Sequence, residues 1–135
     1  MTDKTTEQAR NKALIRESFA RWRSGTGSPF DLLHPQSEWT IIGSSPLSKT
    51  YNKVDFFEKV AVPFNALLNS PAIPTVLGIH ADGDMVIVRF DAEATARDGS
   101  PYRNNHAWFL KIRDGQIIEG TAFFDTRYYD ALWPS

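Results

Sequence analysis

The chain contains no cysteine, and that single absence removes disulfides, thiol nucleophiles and thiolate zinc sites together. It fits a reducing cytosol, so a cytoplasmic location is expected. An excess of charge of one sign is missing as well. Fifteen Lys and Arg stand against 16 Asp and Glu for a formal charge of −1, with no block of like charge. Proteins that grip nucleic acid or a membrane surface usually carry a basic stripe, so neither partner is expected. No run approaches the roughly 20 apolar residues that a membrane-spanning helix needs, and the polar N-terminus has no apolar run of signal-peptide length. Glycine-rich phosphate loops, nucleophile elbows and dinucleotide fingerprints are absent. His34 and His80 have no partners at metal-ligand spacing, so neither a metal site nor a cofactor is expected.

What the chain does have is length for one core and many aromatic rings. Its 135 residues suit a single domain spanning 1–135. Aromatics make up 13%, with four Trp and nine Phe. They supply large apolar area and flat walls for flat ligands.

Leu14, Ile15, Phe19 and Trp22 recur at three- and four-residue spacing, which predicts an amphipathic helix from about Glu7 to Arg23. Thr5 and Gln8 read as its capping box. The cluster Ser24–Pro29 breaks it, and a short helical turn through Phe30, Leu32 and Leu33 follows, ending near Pro35. "SEWTIIG" reads as a strand. Asn52 then caps a second helix whose apolar face runs from Val54 to Leu68, with Pro63 expected to kink or break it. After Pro71 the pattern turns to β, punctuated by Asp82-Gly83, Asp98-Gly99 and Asp114-Gly115. Asp-Gly between alternating segments signals hairpins, because Gly tolerates the positive φ of tight primed turns. Helices first and a four-strand antiparallel meander afterwards is an α+β pattern.

Hairpin register turns this pattern into a map of neighbours. A two-residue turn at Asp114-Gly115 pairs Arg113 with Gln116 and places Leu110, Trp108, His106 and Asn104 opposite Glu119, Thr121, Phe123 and Asp125. These residues share a face that grades from apolar to ionisable, as the wall of a half-lined chamber would. The other face carries Ala107, Phe109, Ile118, Gly120, Ala122 and Phe124 among polar residues, and homodimerisation through it is expected. The connection at Asp98-Gly99 leaves two options. An even length turns Arg89, Asp91 and Glu93 toward His106, and an odd length or a bulge turns Val86, Val88, Phe90 and Ala92 there.

With these residues in place, the chain resembles the SnoaL-like branch of the nuclear-transport-factor-2-like superfamily, which includes polyketide cyclases, ketosteroid-isomerase-like proteins and limonene epoxide hydrolases. "WTIIGSSPLSKTY" is similar to the Trp-x-x-x-Gly-x-Ser-Pro-Leu segment ahead of that family's second long helix. "PYRNNHAWFLKIRDGQIIE" and "FFDT" are similar to its last two strands. The resemblance implies a cone-shaped α+β barrel, with N-terminal helices packed on a strongly curved antiparallel sheet that encloses a pocket. It also implies a cofactor-independent acid–base enzyme of isomerase or cyclase type, acting on a small hydrophobic carbonyl compound.

Carried over residue by residue, the resemblance makes Asp125 the base, with His106 and Asn104 steadying the developing enolate oxygen. Asp125 also reads as the N-cap of a C-terminal helix from Thr126 to Leu132. Trp39, Trp108, Phe123, Thr121 and Tyr51 are candidate pocket walls. Arg89, Asp91 and Asp125 could match the epoxide-hydrolase acids, although Trp39-Thr40-Ile41 stands where that pattern has its water-holding Tyr-x-Asn. The isomerase pattern asks for a hydrogen-bonding Tyr, and Tyr51 or Tyr102 could fill it. The alternative from another class is a non-catalytic small-ligand-binding or dimerisation module.

Overall fold

The computed structural model describes residues 4–134. Helix α1 (Lys4–Ser24) begins ahead of the expected start, so Thr5 falls inside it and its cap lies outside the described residues. Ile15 and Phe19 are buried, and Leu14 and Trp22 pack against the same core, as their helical spacing requires. Ser28 opens a 3-10 turn (Pro29–Leu32) with reciprocal capping. Its hydroxyl accepts from the Phe30 N–H at 3.1 Å, and its own N–H donates to the Asp31 carboxylate at 2.9 Å. The chain passes straight from this turn into β1 (Leu33–Ile41), an earlier start than the sequence pattern gives.

Strand β2 (Thr50–Asn52) pairs antiparallel with β1. The Asn52 side chain accepts from the Asp55 N–H at 2.8 Å and caps the second helical segment. That segment runs as α2 (Lys53–Phe56), a π-helical turn (Phe57–Ala61) and α3 (Val62–Ala66). Pro63 does not break it. The Val62 N–H reaches back five residues to the Phe57 carbonyl, and Pro63, which has no N–H to satisfy, sits at the start of α3.

Strands β3 (Ile73–Asp82), β4 (Met85–Thr95), β5 (Pro101–Arg113) and β6 (Gln116–Phe124) form the expected meander. The full sheet is ordered β2-β1-β6-β5-β4-β3 and stays open. Strand β1 joins β6 in parallel, so the sheet is mixed at that seam and antiparallel elsewhere. Helix α1 lies on β3 and β4. The core between helices and sheet takes Val86, Val88 and Phe90 from β4 and Trp108, Leu110 and Ile112 from β5.

The turn at Asp114 and Gly115 has φ of 51° and 76°, the paired positive values of a type I′ hairpin. Arg113 pairs with Gln116 and Ile112 with Ile117, as the sequence predicts. Then the ladder shifts: Lys111 pairs with Glu119, Leu110 with Gly120, Trp108 with Ala122 and His106 with Phe124. Ile118 is the extra residue of a β-bulge, and beyond it every side chain of β6 changes face. The expected inner set of Glu119, Thr121 and Phe123 is therefore corrected to Gly120, Ala122 and Phe124. Packing accounts for it. The Trp39 indole lies against Gly120 so closely that a Cβ there would collide with the ring, and an unshifted register would bury Glu119 without a partner.

The connection from Ala96 to Ser100 is odd in length and sets Phe90 opposite His106 and Val88 opposite Trp108. The apolar option is the one adopted. Arg89, Asp91 and Glu93 face outward, where Asp91 accepts from Asn105 at 2.8 Å and Glu93 pairs with Arg103 at 3.5 Å. Exposed pairs of this kind contribute little.

Candidate functional site

A cavity of about 570 Å³ opens between the inner face of the sheet and the helices, within the usual range for small-molecule sites. Trp22, Phe30, Trp39, Phe56 and Trp108 make its aromatic wall. The rings interlock: Trp39 meets Trp108 edge-on at 4.9 Å, and Phe30 meets Phe56 at 5.1 Å. A second aromatic group, Phe64, Tyr102, Phe124 and Tyr129, completes the lining. Phe64 stacks on Tyr129 at 5.3 Å and meets Tyr102 at 5.8 Å. Exposed lining residues gather at two places, Gly25 on the loop after α1 and Asn65, Asn69, Ser70 and Pro71 from the end of α3 into the loop beyond it, and form a polar mouth. No Asp, Glu, Lys or Arg is among the lining residues.

His106 is the ionisable imidazole of this wall. Its ring lies flat on Phe90, and its Nδ1 is buried with no hydrogen-bond partner among the described residues. Burial drives its pKa down to about 4, and the Asp91 carboxylate opposes that only in part. The imidazole is therefore neutral at pH 7.

Asn104 does not face an open space. It is 4% exposed and its amide is fully used. The side-chain oxygen accepts from the N–H groups of Asp125 (2.9 Å) and Asn105 (2.8 Å). The nitrogen donates to the Asp125 carbonyl (3.0 Å) and to the Tyr102 hydroxyl oxygen (2.8 Å). The amide thus continues the β5–β6 ladder one step past its last backbone pair, where the chain leaves the sheet for helix α4 (Thr126–Leu132).

The Asp125 carboxylate is exposed and caps α4, accepting from the N–H groups of Arg127 and Tyr128 at 3.1 and 3.4 Å. Its placement as a base inside the chamber is thereby corrected: the backbone of Asp125 is held at the sheet while its side chain turns to the helix. Of the three expected catalytic residues, His106 alone lines the cavity. Trp39 and Trp108 line it as expected. Tyr51 is buried behind Phe56 with its hydroxyl donating to the Leu47 carbonyl at 2.7 Å, and burial raises its pKa. Thr121, Phe123, Arg89 and Asp91 lie on the outer face, Phe123 being 43% exposed against Phe109. The Arg89–Asp91–Asp125 constellation is not assembled around the cavity.

Three wall groups had weaker signals in the sequence. Tyr102 shares the strand periodicity of Asn104, His106 and Trp108, and the sequence leaves it level with Tyr51. Phe124 reads as outward in the unshifted register, because the bulge leaves no local mark. Tyr129 sits in the short terminal helix, whose apolar face is too brief to read.

No family model matches the chain, and no curated protein matches it in sequence. Solved structures do match, over nearly the whole chain. An NTF2-like protein from Burkholderia thailandensis is 20% identical with a TM-score of 0.72, covering 92% of this chain and 98% of the other. IdmH of Streptomyces antibioticus, provisionally assigned as a polyketide cyclase, is 19% identical with a TM-score of 0.70, over 91% and 97%. TerC, co-crystallised with polyporic acid, is 24% identical with a TM-score of 0.70, over 90% and 96%. The chain has the NTF2-like fold, the cone-shaped α+β arrangement that the sequence resemblance implies. At these identities the likeness establishes the fold and leaves the activity to the site.

Proposed function

We propose that the chain binds a small, flat, neutral hydrophobic molecule in the aromatic cavity, with His106 as a polar contact in its wall. The observation that carries this reading is the lining itself: interlocked aromatic rings and no charged side chain. An anionic ligand would lose its hydration there without gaining a counter-charge, a cost of several kcal/mol or more. A flat aromatic body gains both apolar burial and ring contacts. TerC with polyporic acid and IdmH with its cyclase assignment make an aromatic or polyketide-type compound the natural class to try.

The enzymatic reading that remains is proton transfer by His106 alone. A base with a pKa of about 4 is weak at neutral pH, and the Asp125 carboxylate is engaged elsewhere. Binding is therefore the favoured reading.

The test uses fluorene, monitored by quenching of tryptophan fluorescence, since Trp22, Trp39 and Trp108 all line the cavity. Saturable one-to-one quenching is expected, with fluorene-9-carboxylate binding about a hundredfold more weakly or worse. Ala92→Phe, which fills space from the β4 wall, should abolish it. No quenching up to the solubility limit, or equal quenching of the filled variant, would sink the proposal.

A further inference from the structure

The Tyr102 hydroxyl sits in the cavity wall beside the Asn104 amide. The orientation of the Asn104 amide is fixed by its surroundings: its oxygen meets two backbone N–H groups, those of Asp125 and Asn105. A flipped amide would set donor against donor. Its nitrogen therefore donates to the Tyr102 oxygen. Tyr102 cannot return a proton to Asn104, and its O–H finds no acceptor among the described residues.

Burial pushes the Tyr102 pKa up to about 12, so the proton is present at neutral pH. Tyr102 is 3% exposed and lines the cavity, so bulk water does not take that proton freely. A buried donor without a partner is costly, and a bond received at the hydroxyl oxygen strengthens the bond the hydroxyl gives.

We infer that Tyr102 is a specificity-determining donor for the ligand of the proposed cavity site. The ligand then carries an uncharged acceptor, a ketone, quinone or ether oxygen, at its Tyr102 end. Asn104 is the positioning residue that directs the hydroxyl proton away from itself. The inference rests on the cavity-binding proposal and narrows it from flat hydrophobic molecules to those bearing such an oxygen.

The probes are 9-fluorenone and fluorene, which share a flat ring system and differ chiefly in the carbonyl. Wild-type protein should bind fluorenone about fivefold to tenfold more tightly than fluorene, the effect of one net hydrogen bond. Tyr102→Phe should erase that preference, bringing the ratio of the two affinities to about one, with a thermal melt confirming that it folds. Asn104→Asp is the second variant. Its carboxylate would accept a hydrogen bond from the Tyr102 hydroxyl, so the preference should vanish with the tyrosine intact, a result that loss of packing alone would not give. Equal wild-type affinity for the two probes, or a preference that survives Tyr102→Phe, overturns the inference while the cavity proposal stands. Binding of neither probe overturns both. Should both variants fail to fold, the wild-type ratio still decides.

Discussion

The imidazole of His106 lies on the ring of Phe90 with centroids 4.5 Å apart and planes 2° from parallel. The two residues are partners across β4 and β5, so the stack is a product of register. One edge of the imidazole is enclosed with no hydrogen-bond partner among the described residues, and burial there disfavours the charged form.

The first prediction concerns acid stability. The folded pKa of about 4 lies below the usual 6.5, so between these values the unfolded chain binds the extra proton. Stability from this group is complete above about pH 6.5 and falls as pH drops toward 4, by up to roughly 3 kcal/mol. Denaturant titrations of wild type and His106→Phe across that window should differ in slope, the variant losing this component. An NMR titration placing the His106 midpoint near 6.5 in the folded protein would contradict the prediction.

Asp125→Ala should cost about 1 kcal/mol through the lost helix cap, while Asp125→Asn should cost little. Neither should alter fluorene affinity, because the carboxylate faces α4 and solvent. Thermal denaturation and fluorescence titration on the same preparations check both halves. A tenfold loss of affinity with unchanged stability would return Asp125 to the site.

Gly120→Ala should destabilise by about 1–3 kcal/mol, since the added Cβ must displace the Trp39 indole across the β1–β6 seam. Trp39 is a wall residue, so fluorene affinity should fall as well. A variant that melts with wild type would show the seam to be looser than this packing implies.

The outer face bears Phe109 and Phe123 in contact, with Phe123 well exposed. We propose this face as the surface on which a second copy packs, and Phe123→Lys should then dissociate the protein without changing fluorene affinity per chain. Sedimentation analysis measures it. Wild-type monomer at tens of micromolar removes the proposal.

Much of this architecture was legible in the amino acids alone. The periodicity of Leu14, Ile15, Phe19 and Trp22 determined α1, Asn52 marked a helix start, and Asp114-Gly115 determined a primed hairpin. Each of these rests on torsion preferences and spacing within a few neighbouring residues, and needs no knowledge of the rest of the chain. The inward set of β6 is different in kind. It follows from the bulge at Ile118, and the bulge accommodates an indole arriving from β1, a strand far away in sequence that docks in parallel. Asp125 likewise carried two readings until Asn104, twenty-one positions earlier, held its backbone at the sheet edge and its carboxylate turned to the helix. Tertiary packing alone decided those outcomes, because a half-step of register costs almost nothing locally and reverses every side chain beyond it.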